Sequence, residues 1–218
     1  EAGRGLPGNS KYWRAVDGTW KFHWAPNPDE RPAKFHEVGF DASAWDNIPV
    51  PSSWNIVGLQ KDGTQKYGTP IYVNQPVIFQ HRVAVGDWKG GVMRTPPTHW
   101  TTYKHRNEVG SYLRTFSVPA DWKGREVFIT FDGVDSFFYL WINGKYVGFS
   151  KNSRNAAEFN ITPYLNEEGE NTVAVEVYRS SDGSFLEAQD MFRLPGIFRT
   201  VAIQSRPAVR VRDLVVKP

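Results

Sequence analysis

Glu187 and Asp190, three residues apart in the run LEAQDMFR, are the carboxyl groups whose spacing comes nearest to an acid/base pair. On a helix, residues three apart share a face, so one carboxyl could donate a proton while the other accepted one. Gly183 and Pro195 crowd the segment and favour a loop. A solvated or salt-bridged pair is the reading these residues favour. His81, His99 and His105 are too irregularly spaced to suggest a metal site by themselves. Trp88 and Trp100 have two uses: an exposed indole makes a sugar platform or a contact surface, while packing within their loop needs no ligand. Arg193 and Arg199, beside apolar neighbours, read as structural ion pairs, with Arg199 inside a strand. Asn107, by its local context, reads as an Asx-type turn ahead of a strand.

The elements that must position these groups are strands. Trp20, Phe22 and Trp24 share one parity in TWKFHW and are expected to face inward together. Trp45 to Trp54 is held extended by Pro49 and Pro51. From Asn55 to Glu108 glycines and prolines break the pattern, leaving Ile71–Val73 and Val77–Phe79 as short pieces that pair as edge strands. After Gly110 the alternation is regular: Ser111–Val118, Glu126–Asp132, Phe137–Ile142, Lys145–Ser150, Thr172–Tyr178 and Ile197–Gln204. Asn143-Gly144 marks a hairpin, because both residues tolerate positive φ. Thr162-Pro163 starts one short helical turn. Short strands without long helices between them indicate an all-β, antiparallel sandwich with long irregular loops.

Composition narrows the class. Aromatic residues are 15% of the 218, too many for a disordered chain and suited to filling the space between two sheets. The 26 Lys and Arg are balanced by 23 Asp and Glu and scattered, so nothing tracks a phosphate backbone and no nucleic acid is expected. The absence of cysteine excludes a disulfide framework and a thiolate metal site. No apolar run reaches the roughly 18 residues of a membrane span. Glu1–Ser10 reads as a trimmed extension, 11–206 as the sandwich domain, and 207–218 as a linker with Val209, Val211 and Leu214 alternating. That tail is expected either to pair back into the sandwich or to open a second, immunoglobulin-like domain. Bacterial cytoplasm and periplasm are both compatible with the sequence.

The segment Ser181–Arg199, SDGSFLEAQDMFRLPGIFR, resembles the end of the N-terminal sugar-binding domain of family 2 glycoside hydrolases of the β-galactosidase type. DGTWKF, VPSSW, YGTPIYVN, the N-x-x-G-S-Y unit at Asn107–Tyr112 and LWINGKYVGFSKNSRNAAEFNITPYL match in order, so the resemblance spans Tyr12 to Val216. Ala188 and Thr200 stand where the family commonly has acidic residues, Phe192 where it has Trp, and Pro195 where it has Ser. Gly58–Lys66 is longer than the family's usual connection.

The resemblance implies a galactose-binding-like jelly roll that is non-catalytic by itself. Retaining hydrolysis needs two carboxyls about 5–5.5 Å apart, which the family takes from a (β/α)₈ barrel later in the chain. Asn107 is implied to reach the galactose, and Asp190 to touch sugar hydroxyls and a bound sodium ion in the intact enzyme. The chain itself implies no cofactor; sodium and magnesium belong to the intact enzyme. The expected partners are a galactoside, the remaining domains and a second copy of the enzyme. An autonomous carbohydrate-binding module or lectin and a scaffold or oligomer-contact domain are the alternatives.

Overall fold

The computed structural model describes residues 10–73, 107–166, 168–181, 183–184, 187, 191–211 and 213–217. Two antiparallel sheets face each other across one core. The larger has six strands in the order β3 (Asp46–Val50), β2 (Gly18–Ala25), β5 (Val109–Phe116), β11 (Asn171–Tyr178), β8 (Phe137–Ile142) and β9 (Lys145–Ser150). The smaller runs β1 (Trp13–Ala15), β14 (Val201–Arg206), β6 (Glu126–Phe131) and β10 (Ala157–Asn160). The antiparallel sandwich expected from the strand spacing, and the jelly roll implied by the resemblance, are the fold observed.

Alternation fills the core. Val127, Ile129 and Phe131 from one sheet and Val173, Val175 and Val177 from the other are all buried and belong to one cluster with Trp20, Phe22, Tyr112 and Leu140. The β8–β9 hairpin turns at Asn143 and Gly144, with φ of 50° and 78° as its turn type requires. Asn143 also donates to the carbonyl of Tyr164 at 2.9 Å and accepts from the Thr172 amide at 2.8 Å, tying the turn to the start of β11. Thr162–Tyr164 forms one 3₁₀ turn, and the Thr162 hydroxyl accepts from the Val127 amide. Trp45–Trp54 is extended only as far as β3; a single helical turn, α1 (Trp54–Val57), follows.

Four local expectations have different outcomes. Trp24 is half-buried and packs against the core that holds Trp20 and Phe22, in keeping with their shared parity. Its cross-strand partner is Gly110, and the space a Cβ would fill there is taken by the Trp54 ring at 2.7 Å. Ile71–Val73 forms β4 but pairs with β12 (Met191–Arg193); Val77–Phe79 lies outside the described residues. Ile197–Gln204 is not one strand. β13 (Gly196–Ile197) pairs with β7 (Val134–Asp135), whereas β14 pairs with β6, so the turn at Asp132–Gly133 between β6 and β7 breaks both ladders. In the tail, Val209, Val211 and Leu214 are exposed, and none of the described residues after Arg206 is a strand. Arg210 instead binds Glu126 and lies over the Phe128 ring.

Candidate functional site

Asn107 lies two residues before β5, in a left-handed conformation with φ 57°, a region Asn tolerates better than most residues. Its Oδ1 accepts from the amide of Ser180, just beyond β11, at 2.9 Å. The carboxamide thus bridges two strands, and this cross-strand bond takes the place of the expected Asx-type turn. Next to them, at the ends of β5 and β11, Glu108 and Arg179 form a fully buried ion pair at 2.7 Å. Arg179 donates further to the Thr69 carbonyl at 2.8 Å, and Trp54 Nε1 donates to Glu108 at 3.4 Å. Gly68 leaves room for this carboxylate: a Cβ there would lie 2.4 Å from Glu108 Oε1. An unpaired buried charge is costly, so this pair anchors the backbone that carries Asn107.

From Ser180 the chain enters a polar cluster. Ser136, which follows Asp135 through a cis peptide bond, shares hydrogen bonds with the hydroxyls of Ser181 and Ser184. Ser153 donates its hydroxyl and its amide to the Glu187 carboxylate. Arg193 donates to the Glu187 carbonyl, and Arg154 donates both to Asp135, at 3.2 Å, and to the Met191 sulfur, at 3.3 Å. Asp135 is only 4% exposed, and burial pushes its carboxyl up to about 6 in spite of the Arg154 guanidinium. Desolvation outweighs the ion pair because the Arg154 side chain is 43% exposed and its charge is partly screened by water.

These contacts place the chemistry-bearing residues as follows. Asn107, Ser180 and Met191, the neighbour of Asp190 in sequence, are linked through Ser181, Ser136, Asp135 and Arg154 at one end of the sandwich. Asp190, Trp88, Trp100, His81, His99 and His105 lie outside the described residues. Glu187 is held by Ser153 in place of an ion pair. The expected ion pairs of Arg193 and Arg199 are, among the described residues, bonds to carbonyls: Arg193 to Glu187, and Arg199 to Arg154 at 2.9 Å. Arg199 falls in the break between β13 and β14, so its guanidinium reaches loop carbonyls. Among the described residues no three His, Asp or Glu side chains gather as a metal site, and two guanidiniums stand at this end. The buried Glu108–Arg179 pair and the serine cluster escaped sequence reasoning; single charged or hydroxyl residues at strand ends carry no periodic signal.

The fold and this polar end define the class. The profile of glycosyl hydrolases family 2, sugar binding domain, matches residues 13–207, and the chain belongs to that family. A β-galactosidase of Priestia megaterium is 44% identical over 96% of this chain and 18% of its own length. The β-galactosidase large subunit of Leuconostoc lactis is 36% identical over 96% of this chain and 32% of its own. A β-glucuronidase from an uncultured Clostridium superposes with a TM-score of 0.61 at 19% identity, over 94% of this chain and 31% of that one, which speaks for the fold alone. The chain therefore spans between 18% and 32% of the length of these curated relatives.

Proposed function

We propose that the chain forms one wall of the active site of a family 2 β-galactosidase, binding the terminal β-D-galactoside without cleaving it. Asn107 and Asp190 contact the sugar, and the carboxyl pair that breaks the glycosidic bond comes from the rest of the enzyme. The observation that carries this reading is the bond between Asn107 and Ser180, with the polar cluster continuing from Ser180 to Met191 beside Asp190. It brings Asn107 and Met191, the sequence neighbour of Asp190, to one end of the sandwich, and a carboxamide and a carboxylate together donate to and accept from hydroxyls. The two carboxyls described there suit support rather than catalysis: Asp135 is buried, and Glu187 is engaged by Ser153. A hard cation such as sodium would meet Asp190 only with further oxygen ligands from the remainder of the enzyme.

The test is made in the intact enzyme. Asp190→Ala is expected to lower turnover of nitrophenyl β-galactoside by at least a hundredfold, on the scale of roughly 3 kcal/mol or more for a lost charged contact in the transition state. The 218-residue chain alone is expected to release no nitrophenol. Normal turnover in the variant, or cleavage by the chain alone, overturns the assignment.

A further inference from the structure

The outward face of the six-stranded sheet carries a second feature. Phe137 and Tyr139 of β8, Phe149 of β9 and Tyr178 of β11 line a groove of about 340 Å³ whose wall includes Ser180 and Ser181. That volume is within the range of about 300–1,000 Å³ usual for small-molecule sites. The rings brace one another: Phe137 meets Tyr139 edge-on at 4.7 Å between centroids and Tyr178 at 5.7 Å, and Phe149 lies 5.8 Å from Phe137. Tyr178 is fixed from below, its hydroxyl donating at 2.7 Å to Glu176, which is itself paired with Arg31. Phe149 nonetheless remains 53% exposed.

Rings interspersed with tyrosine and serine hydroxyls match the alternating C–H faces and hydroxyl edges of linked pyranoses. The position is equally informative. Ser180, in the groove wall, is the residue whose amide binds Asn107, so the groove is continuous with the proposed galactose contact.

We propose that this groove binds the sugar units of a β-linked galacto-oligosaccharide beyond its terminal galactose, an inference that rests on the assignment of Asn107 above. The ring floor stacks on the second and third units, and the favoured substrates are oligosaccharides rather than simple glycosides. Fixed rings suit this task, because little side-chain freedom is lost on binding.

Calorimetric titration of the chain with β-1,4-galactotetraose and with methyl β-galactoside tests it. The tetraose is expected to bind more tightly than the monosaccharide. Phe149→Ala should weaken the tetraose by roughly three- to tenfold and leave methyl galactoside unchanged, while Phe149→Trp should retain binding. Circular dichroism of each variant checks that the fold is kept, as the exposure of Phe149 leads one to expect. Absence of heat with millimolar tetraose, or equal affinities in wild type and Phe149→Ala, overturns the proposal; so does binding of the tetraose that a peptide adding to the β9 edge abolishes but Phe149→Ala does not. Nitrophenyl galactoside has no second sugar, so the Asp190 test above fails or succeeds independently of this one.

Discussion

Strand β8 reads Phe-Phe-Tyr-Leu-Trp-Ile, with large apolar residues at every position, yet its two faces have different fates. Phe138, Leu140 and Ile142 point into the sandwich and are buried. Phe137, Tyr139 and Trp141 point outward and are only half-buried. The outward face is itself divided. Around Trp141 it is covered by the chain between Asn27 and Trp45: His36 stacks on the indole at 4.7 Å, Phe35 is fully buried beside it, and Arg31 pairs with Glu176. Around Phe137 and Tyr139, among the described residues, nothing comparable covers the rings, and they line the groove. A run without alternation signals a strand with both faces in use. Whether a face serves stability or recognition depends on what covers it.

Substitutions should separate these fates. Leu140→Ala opens a cavity between the sheets, and urea denaturation should register a loss of about 2–5 kcal/mol. A loss below about 1 kcal/mol would mean that the inner face collapses around the missing side chain, and the contrast between faces would weaken.

Asp135, two residues before β8, gives the next largest effect through pH. Its carboxyl, raised from 3.8 to about 6, keeps its proton longer in the folded than in the unfolded chain. The stability it contributes is therefore complete below about 3.8 and lost as pH rises through about 6. Asp135→Asn removes that dependence. The difference in stability between variant and wild type should move in the variant's favour by roughly 2–3 kcal/mol from pH 4 to pH 7. A difference independent of pH would show that Asp135 ionises at its ordinary value, and that the end of the sandwich is wetter than its packing indicates.

Phe149→Ala should have the smallest effect on stability, within about 0.5 kcal/mol, although it is expected to weaken oligosaccharide binding. A loss above about 1.5 kcal/mol would place Phe149 with the covered rings and erase the division of the outer face.

The site was legible in part. Asn107 stands out through the N-x-x-G-S-Y unit, but its partner Ser180 lies 73 residues away and belongs to no shared motif. The groove was not legible because its rings come from three separate strands, β8, β9 and β11, whereas Trp88 and Trp100 lie within one Gly- and Pro-rich stretch. The continuous apolar run of β8 was the available clue, since a strand with one solvated face would alternate.

Local preferences alone were enough to specify the all-β class, the Asn143-Gly144 hairpin and the inward parity of Val127, Ile129, Phe131, Val173, Val175 and Val177. Each depends on neighbours within a few residues: positive φ at a turn, period two along a pleat. Which strands meet was settled only in three dimensions. β4 found β12 across more than a hundred residues, the ladder from Gly196 to Arg206 broke because its partners β6 and β7 turn at Asp132–Gly133, and the Trp54 ring took the space beside Gly110. Such outcomes follow from competition for the same space and the same backbone partners, and that competition exists only once the sheets have assembled.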